Sequence, residues 1–288
     1  MAIPDRDRAE HEAAKVLQDR GITTLPVDPV AIARSRGIEV RAKPDTARGV
    51  SGLLVQIDQS FGIMYATHIP SEGFQRFSIA HELGHYFLPG HVDAIFSNGS
   101  VHQSHAGFIS QDPYEMEADY FAAALLMPDP VFRSAVTREK EDGLAGIENL
   151  RRLCRTSLTA TAIRYIDRTS IPTAIVVSVG QRIDFGFLSP ALKEFRNLEW
   201  PRKHSPLPAN VLTQRFNQDH ANGSQGNRDE GTSDLRDWFG GSRSIEVREE
   251  VIGLGACGKT LTILTSDTFA DEVEEEERIE ESWRPKWR

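Results

Sequence analysis

Residues Gln75 to Leu88 read Gln-Arg-Phe-Ser-Ile-Ala-His-Glu-Leu-Gly-His-Tyr-Phe-Leu, and they form the most informative segment of the chain. His81 and His85 are four residues apart, so a helix places both imidazoles on one face, one turn apart. Two imidazoles in this arrangement can share one metal ion, and Zn²⁺ is the usual ion for nitrogen ligands. The apolar residues around the pair predict a helix that is buried within a domain.

Glu82 directly follows the first of these histidines. In zinc peptidases with the pattern His-Glu-x-x-His, this glutamate is the general base that activates the attacking water. The five-residue pattern also occurs by chance, but its apolar surroundings favour a buried metal site over a solvated surface helix. Gly84 lies between the two histidines, where a small residue allows another backbone to pass close to the metal.

A catalytic zinc site needs a third protein ligand and an open fourth position. His91 stands ten residues after His81, which is the metzincin spacing, but Leu88 occupies the position where that class needs glycine. We therefore expect His91 to lie in a loop after the Pro-Gly helix stop. His102 and His105 lie in a polar stretch with no supporting spacing rule, and we expect an exposed loop there.

Glu115 is the candidate that the sequence favours as third ligand. The segment from Asp112 to Pro128 begins with a capping residue and a proline, as helices commonly do. Glu115 and Asp119 share one face of that helix, so the first can bind the metal and the second can orient a ligating histidine. Two alternatives stay open: Glu115 completes a capping box with Asp112, or Glu117 is the ligand, although it has no partner acid on its face.

Three segments of the chain resemble the ImmA/IrrE family of metallo-endopeptidases. They are Arg76 to His85, Glu115 to Ala122 and Leu125 to Pro128. The resemblance is specific from about Pro26 to Pro128, is looser to about Arg168, and beyond that concerns architecture only.

The resemblance assigns roles to individual residues. It implies that His81, His85 and Glu115 bind Zn²⁺ and that Glu82 is the catalytic glutamate. Asp119 stands where the family most often has asparagine, and a carboxylate there can still accept a hydrogen bond from an imidazole. The implied activity is a zinc-dependent endopeptidase that cuts one dedicated protein partner, a helix-turn-helix repressor or an antitoxin. Such cleavage would regulate stress-response or mobile-element genes.

Two other functions are compatible with the same residues. One is a non-catalytic binding regulator that retains a structural metal site, although a structural site has no need of Glu82. The other is hydrolysis of a non-peptide amide, because the same site attacks any polarised carbonyl.

Composition limits the compartment and the partners. The 288 residues include 39% hydrophobic residues, which is sufficient for a substantial core, and the net charge of −9 argues against binding nucleic acid through a generally basic surface. Two cysteines lie far apart without metal-type spacing, as expected in a reducing cytosol. No apolar run approaches membrane-spanning length, so we expect a cytoplasmic protein without membrane contact.

The predicted fold class is α+β, arranged in four segments. Residues 1–130 are expected to form a zincin-like peptidase core, a small sheet with metal-binding helices. Residues 131–169 read as helices resembling a helix-turn-helix, whose arginines keep direct DNA binding open although helix pairs more often pack against cores. Residues 170–270 are expected to form a smaller α+β module, sensory in some relatives, and residues 271–288 an acidic tail.

Three further expectations concern strands and loops. Gly49 to Ile57 begins a hairpin, and it is either the free edge that pairs with an extended substrate or an internal strand. Pro89 to Gln111 has no period and reads as a long loop beside the site, where His102 or His105 could donate to the oxyanion of the reaction. Asn217 to Ser233 is polar, and we expect it to be flexible.

Overall fold

The computed structural model of the protein describes residues 3–43, 50–97, 99–104, 110, 112–241 and 244–270. Helices and sheets both occur there, and the predicted α+β class is confirmed. The helices are α1 Arg6–Gln18, α2 Pro29–Ser35, α3 Glu72–Phe87, α4 His91–Ile95, α5 Pro113–Leu126, α6 Asp129–Arg138, α7 Gly143–Cys154, α8 Leu158–Ile166, α9 Pro190–Lys193, α10 Leu212–Phe216, α11 His220–Gln225 and α12 Leu235–Phe239. The strands are β1 Glu39–Lys43, β2 Gly52–Ile57, β3 Ser60–Ala66, β4 Val101–Ser104, β5 Thr173–Val179, β6 Arg182–Leu188, β7 Arg228–Asp234, β8 Glu246–Gly253 and β9 Lys259–Thr265.

The chain divides into two compact units. The first comprises Met1–Arg138 with Glu148–Thr161, and the second comprises Glu139–Ile147 with Ala162–Arg288. The helices expected within 131–169 are present, because α7 and α8 lie in this range and α6 begins just before it. Their helix-turn-helix character and the four predicted segment boundaries stay predictions, and the acidic tail lies outside the described residues.

A four-stranded sheet supports the first unit, in the order β1-β3-β2-β4. Strand β2 pairs antiparallel with β3 on one side and with β4 on the other, from Gly52 against Ser104 to Val55 against Val101. Residues Gly52–Ile57 of the predicted Gly49–Ile57 segment therefore form an internal strand, and the interpretation as a free edge is wrong. The expected long loop of 89–111 likewise contains α4 and β4, which are five and four residues long and too short to show a period.

Helices α3 and α5 pack closely in the first unit. Ser71 caps α3 by accepting from the Phe74 amide, and Asp112 caps α5 by accepting from the Tyr114 amide, with Pro113 in the first turn. A Cβ atom at Gly84 would lie 3.0 Å from the Cα of Ala118, so the predicted close backbone approach at this glycine is confirmed. The two helices, the sheet and α1 share one apolar core, which includes the fully buried Leu83 and Leu125.

The second unit contains a five-stranded antiparallel sheet in the order β6-β5-β9-β8-β7. The segment expected to be flexible, Asn217 to Ser233, instead contains α11 and most of β7. Strand β7 reads Arg-Asp-Glu-Gly-Thr-Ser-Asp and is largely exposed, because it lies at the end of the sheet and pairs through its backbone with β8. Its polar sequence therefore lacks the alternation by which strands are recognised.

No helix among the described residues is both long and apolar enough to cross a membrane.

Candidate metal centre

Side chains from α3 and α5 converge on one buried point. Nε2 of His81 lies 3.1 Å from Nε2 of His85, and the two oxygens of Glu115 lie 3.4 Å and 3.1 Å from these nitrogens, respectively. Both imidazoles are fully buried. Four ligands at about 2.0–2.1 Å around a tetrahedral Zn²⁺ lie roughly 3.3 Å from one another. The observed spacing therefore fits three ligands that share one metal ion.

Asp119 fixes the orientation of the His81 ring. Its Oδ1 lies 2.8 Å from Nδ1 of His81, one helical turn along α5 from Glu115. An ionised carboxylate only accepts hydrogen bonds, so Nδ1 of His81 donates the proton and Nε2 carries the free electron pair. That electron pair faces the carboxylate oxygen of Glu115, and either a second proton on the ring or a metal ion between the two groups makes the arrangement favourable.

The protonation preferences of these groups agree with a cation site. Burial lowers the pKa of His81, but its hydrogen bonds with Asp119 and Glu115 outweigh that effect and raise the pKa to about 10. Burial lowers the pKa of His85 to about 3, despite the neighbouring Glu115. Burial raises the pKa of Glu115, but contacts with the rings of His102, His81 and His85 hold it far below its usual range. The cluster thus stabilises one positive charge between its ligands.

Glu82 is fully buried beside this cluster, and neither of its carboxylate oxygens has a hydrogen bond of standard geometry to any described residue. Burial raises the pKa of Glu82 to about 7, although the charge of His81 and the nearby Ser104 hydroxyl oppose the rise. A buried carboxylate without partners costs free energy, and such groups are concentrated at functional sites.

His102 contacts the site, although an exposed loop was expected. It lies on strand β4 opposite Leu54 of β2, and its Nε2 is 2.9 Å from Oε1 of Glu115. The expectation is wrong because backbone pairing with β2, which the polar sequence does not reveal, brings this segment to the metal ligands. His105 lies outside the described residues. The roles of both histidines toward the oxyanion stay predictions.

His91 is also placed differently from the expected loop. It is the first residue of α4, is fully buried, and its Nδ1 lies 3.2 Å from Nδ1 of His85. Its Nε2 lies 3.0 Å from Oε2 of Glu117, so the side chain of Glu117 contacts this histidine. No spacing rule in the sequence predicts the contact of His91 with His85, because it depends on how the chain reverses at Gly90.

Comparison with known proteins is consistent with this site. Residues 33–165 match the family described as Peptidase_M78, IrrE N-terminal-like domain. The radiation response metalloprotease IrrE of Deinococcus radiodurans is 29% identical over 103 residues, which are 36% of this chain and 30% of that relative. The chain thus matches less than a third of the length of this curated relative. A solved structure of a Mycobacterium tuberculosis transcriptional regulator superposes with a TM-score of 0.54 at 18% identity, over 92% of this chain and 90% of the other, a likeness of fold alone.

Proposed function

We propose that this chain, which belongs to the ImmA/IrrE family through its residues 33–165, is a zinc-dependent endopeptidase. The observation that carries the proposal is the convergence of three ligand atoms beside a buried, unpartnered carboxylate. The ligand atoms belong to His81, His85 and Glu115, and the carboxylate is that of Glu82. His81, His85 and Glu115 could hold the ion, whereas a purely structural metal site would have no need of Glu82.

The residues around the ion have separate tasks. Zn²⁺, when bound, supplies Lewis-acid polarisation of the scissile carbonyl and of the attacking water. Asp119 holds the ring of His81, and His102 donates to Glu115 from the neighbouring strand. Helices α3 and α5 meet at Gly84. His81 and His85 on α3 and Glu115 on α5 are therefore held by two packed helices rather than by loops.

Glu82 is the general base in this proposal. Its carboxylate takes a proton from the water as the water oxygen bonds to the scissile carbon. It then passes that proton to the amine nitrogen as the peptide bond breaks, so the glutamate ends in its starting state. Burial of the Glu82 side chain favours this exchange, because desolvation shifts the pKa of a carboxyl upward, toward the working pH.

The substrate is proposed to be an extended segment of one dedicated protein. Strand β4 pairs only with β2 among the described residues, so its other edge is available to an added strand. His102 lies on this strand and contacts the metal ligands, so a peptide on that edge would pass the site. The family relationship suggests a helix-turn-helix repressor or an antitoxin as partner, and the name of the Deinococcus relative suggests a stress response.

Substitution of Glu82 by glutamine tests the activity. We expect Glu82→Gln to keep zinc and partner binding and to lose cleavage by several orders of magnitude, measured on a co-expressed candidate repressor. If the regulatory effect survived the substitution, the alternative of a non-catalytic binding regulator would be correct. DNA binding by residues 131–169 and sensing by residues 170–270 remain proposals, which titration of the full chain with operator DNA and with small metabolites would test.

A further inference from the structure

The two metal-binding histidines are supported in different ways. The ring of His81 contacts a carboxylate directly, through Asp119. The ring of His85 contacts a second histidine, His91, which in turn contacts the carboxylate of Glu117. His85 and His91 are fully buried and Glu117 is nearly so, which leaves this chain of contacts shielded from water.

When His85 and Glu115 hold a metal ion between them, the carboxylate of Glu117 sets the direction of both hydrogen bonds in this series. Ionised Glu117 accepts only, so Nε2 of His91 carries the hydrogen and donates it across 3.0 Å. Nδ1 of neutral His91 then holds an electron pair and accepts from Nδ1–H of His85, at 3.2 Å. With its hydrogen on Nδ1, His85 has a free electron pair on Nε2, the atom that lies beside Nε2 of His81 and the carboxylate of Glu115.

Residues at the start of helix α1 hold Glu117, the member of this hydrogen-bonded series that lies farthest from the metal ligands. The backbone amide of Asp5 donates to Oε1 of Glu117 at 2.9 Å, and the guanidinium of Arg8 donates to Oε2. Gly90 has φ 81°, a left-handed conformation that turns the chain directly before His91 and that other residues adopt only with strain. Four helices, α1, α5, α4 and α3, are therefore linked through polar contacts that end at one ligand.

We propose that His91 and Glu117 form a positioning relay that holds the ring of His85 with Nε2 presented to the metal. The relay rests on the proposed zinc site, but it also predicts which ring nitrogen of His85 and of His91 carries the hydrogen. Neither His91 nor Glu117 touches the reacting atoms in this account. They act through His85, as hydrogen-bond partners of ligating histidines do in other metal sites.

Zinc affinity measured by competition with a chromogenic chelator tests the relay. His91→Leu removes the acceptor at similar bulk, and we expect Zn²⁺ to bind about 10–100-fold more weakly, the usual cost of losing such a partner. His91→Gln can present an amide oxygen to His85, and we expect it to recover most of the affinity. Val92→Ala loosens the same short helix without touching the relay, and we expect the affinity of wild type.

A second measurement needs no variant. Long-range ¹H–¹⁵N NMR of the histidine rings in the zinc-loaded full-length protein at neutral pH reports which nitrogen is protonated. We expect the hydrogen on Nδ1 of His85 and on Nε2 of His91. The opposite tautomer at either ring would overturn the relay even if His91→Leu failed to fold.

The outcomes separate the relay from the zinc site itself. Wild-type zinc affinity in folded His91→Leu would overturn the relay and leave the proposed peptidase standing. Equal losses in His91→Gln and His91→Leu would also overturn it, because packing rather than the hydrogen bond would then matter. Absence of zinc binding by the wild-type protein would instead overturn the proposed function, and the relay with it.

Discussion

Gly52 of strand β2 lies directly against the carboxylate of Glu82. A Cβ atom built at Gly52 would come within 2.3 Å of Oε1 and within 3.1 Å of the carboxylate carbon. The glycine therefore leaves the space that the buried glutamate occupies beside the metal ligands. Sequence reasoning had no means of finding this relationship, because it joins two residues thirty positions apart across the packing of a strand on a helix.

Gly52→Ala is expected to reduce peptidase activity strongly while leaving zinc content intact. The added methyl would displace the Glu82 side chain, because the three heavy atoms nearest to it all belong to that glutamate. We expect a loss of about 10²-fold or more in kcat/KM, the scale associated with a misplacement of about 1 Å at a reacting group. Cleavage assays and elemental analysis of the same preparation provide the check.

Gly62→Ala is the matched control for that variant. Gly62 lies on the neighbouring strand β3, and a Cβ there has only the carbonyl oxygen of Glu39 at 3.8 Å. We expect activity within a few-fold of wild type. Equal loss in both variants would mean that a general disturbance of the sheet, and not contact with Glu82, explains the effect.

Gly73→Ala is expected to destabilise the first unit although it lies in a helix. Alanine normally stabilises a helix relative to glycine by about 1 kcal/mol. At Gly73, near the start of α3, the new Cβ would lie 2.3 Å from the backbone of Ser157 and Thr156. We expect a net loss of about 1–3 kcal/mol, as for other overpacked sites, measured by denaturant unfolding.

The comparison for Gly73 is Gly223→Ala in α11, where the nearest backbone atom is 3.4 Å away. That variant should be neutral or slightly stabilising, since alanine has a higher helix propensity than glycine and no close contact opposes it. If Gly73→Ala behaved in the same way, the close approach at the start of α3 would not exist in solution.

Asp234 is expected to stabilise the second unit in a pH-dependent manner. It caps α12, and its hydrogen bonds with Arg236, Ser244 and the Ile245 amide overcome partial burial and lower its pKa to about 2. A carboxyl whose pKa is lower in the folded state contributes stability fully above its unfolded pKa of about 3.9. That contribution disappears as the pH falls through the folded pKa.

The difference in unfolding free energy between wild type and Asp234→Asn measures this contribution. We expect it to be constant from pH 7 to about pH 5 and to shrink as the pH is lowered from about 4 toward 2. A difference that grew on acidification would have the wrong sign and would refute the assignment.

The parts of the fold and of the site predicted correctly rest on local rules. The His81–His85 spacing, the cap at Asp112 and the shared face of Glu115 and Asp119 all follow from helical geometry. The strands of the second unit that are rich in β-branched residues, such as Thr173–Val179, were equally readable. In each case the informative residues lie within one or two turns, or within one strand, of one another.

The parts that were missed depend on contacts between distant segments. His102 reaches Glu115 because β4 pairs with β2, and β4 is four residues long without apolar alternation. His91 reaches His85 through a turn at Gly90 and a helix of five residues. Such short elements owe their existence to tertiary contacts rather than to propensity, so a single sequence does not specify them.

The most direct test of the metal centre is the zinc content of the purified protein, measured beside Glu115→Ala and Glu82→Gln. The proposed site predicts about one zinc per chain in wild type and in Glu82→Gln, and loss of the ion in Glu115→Ala, because two imidazoles alone hold it weakly. Wild-type protein that contained no zinc after zinc was supplied, or Glu115→Ala that retained it fully, would contradict the proposed site.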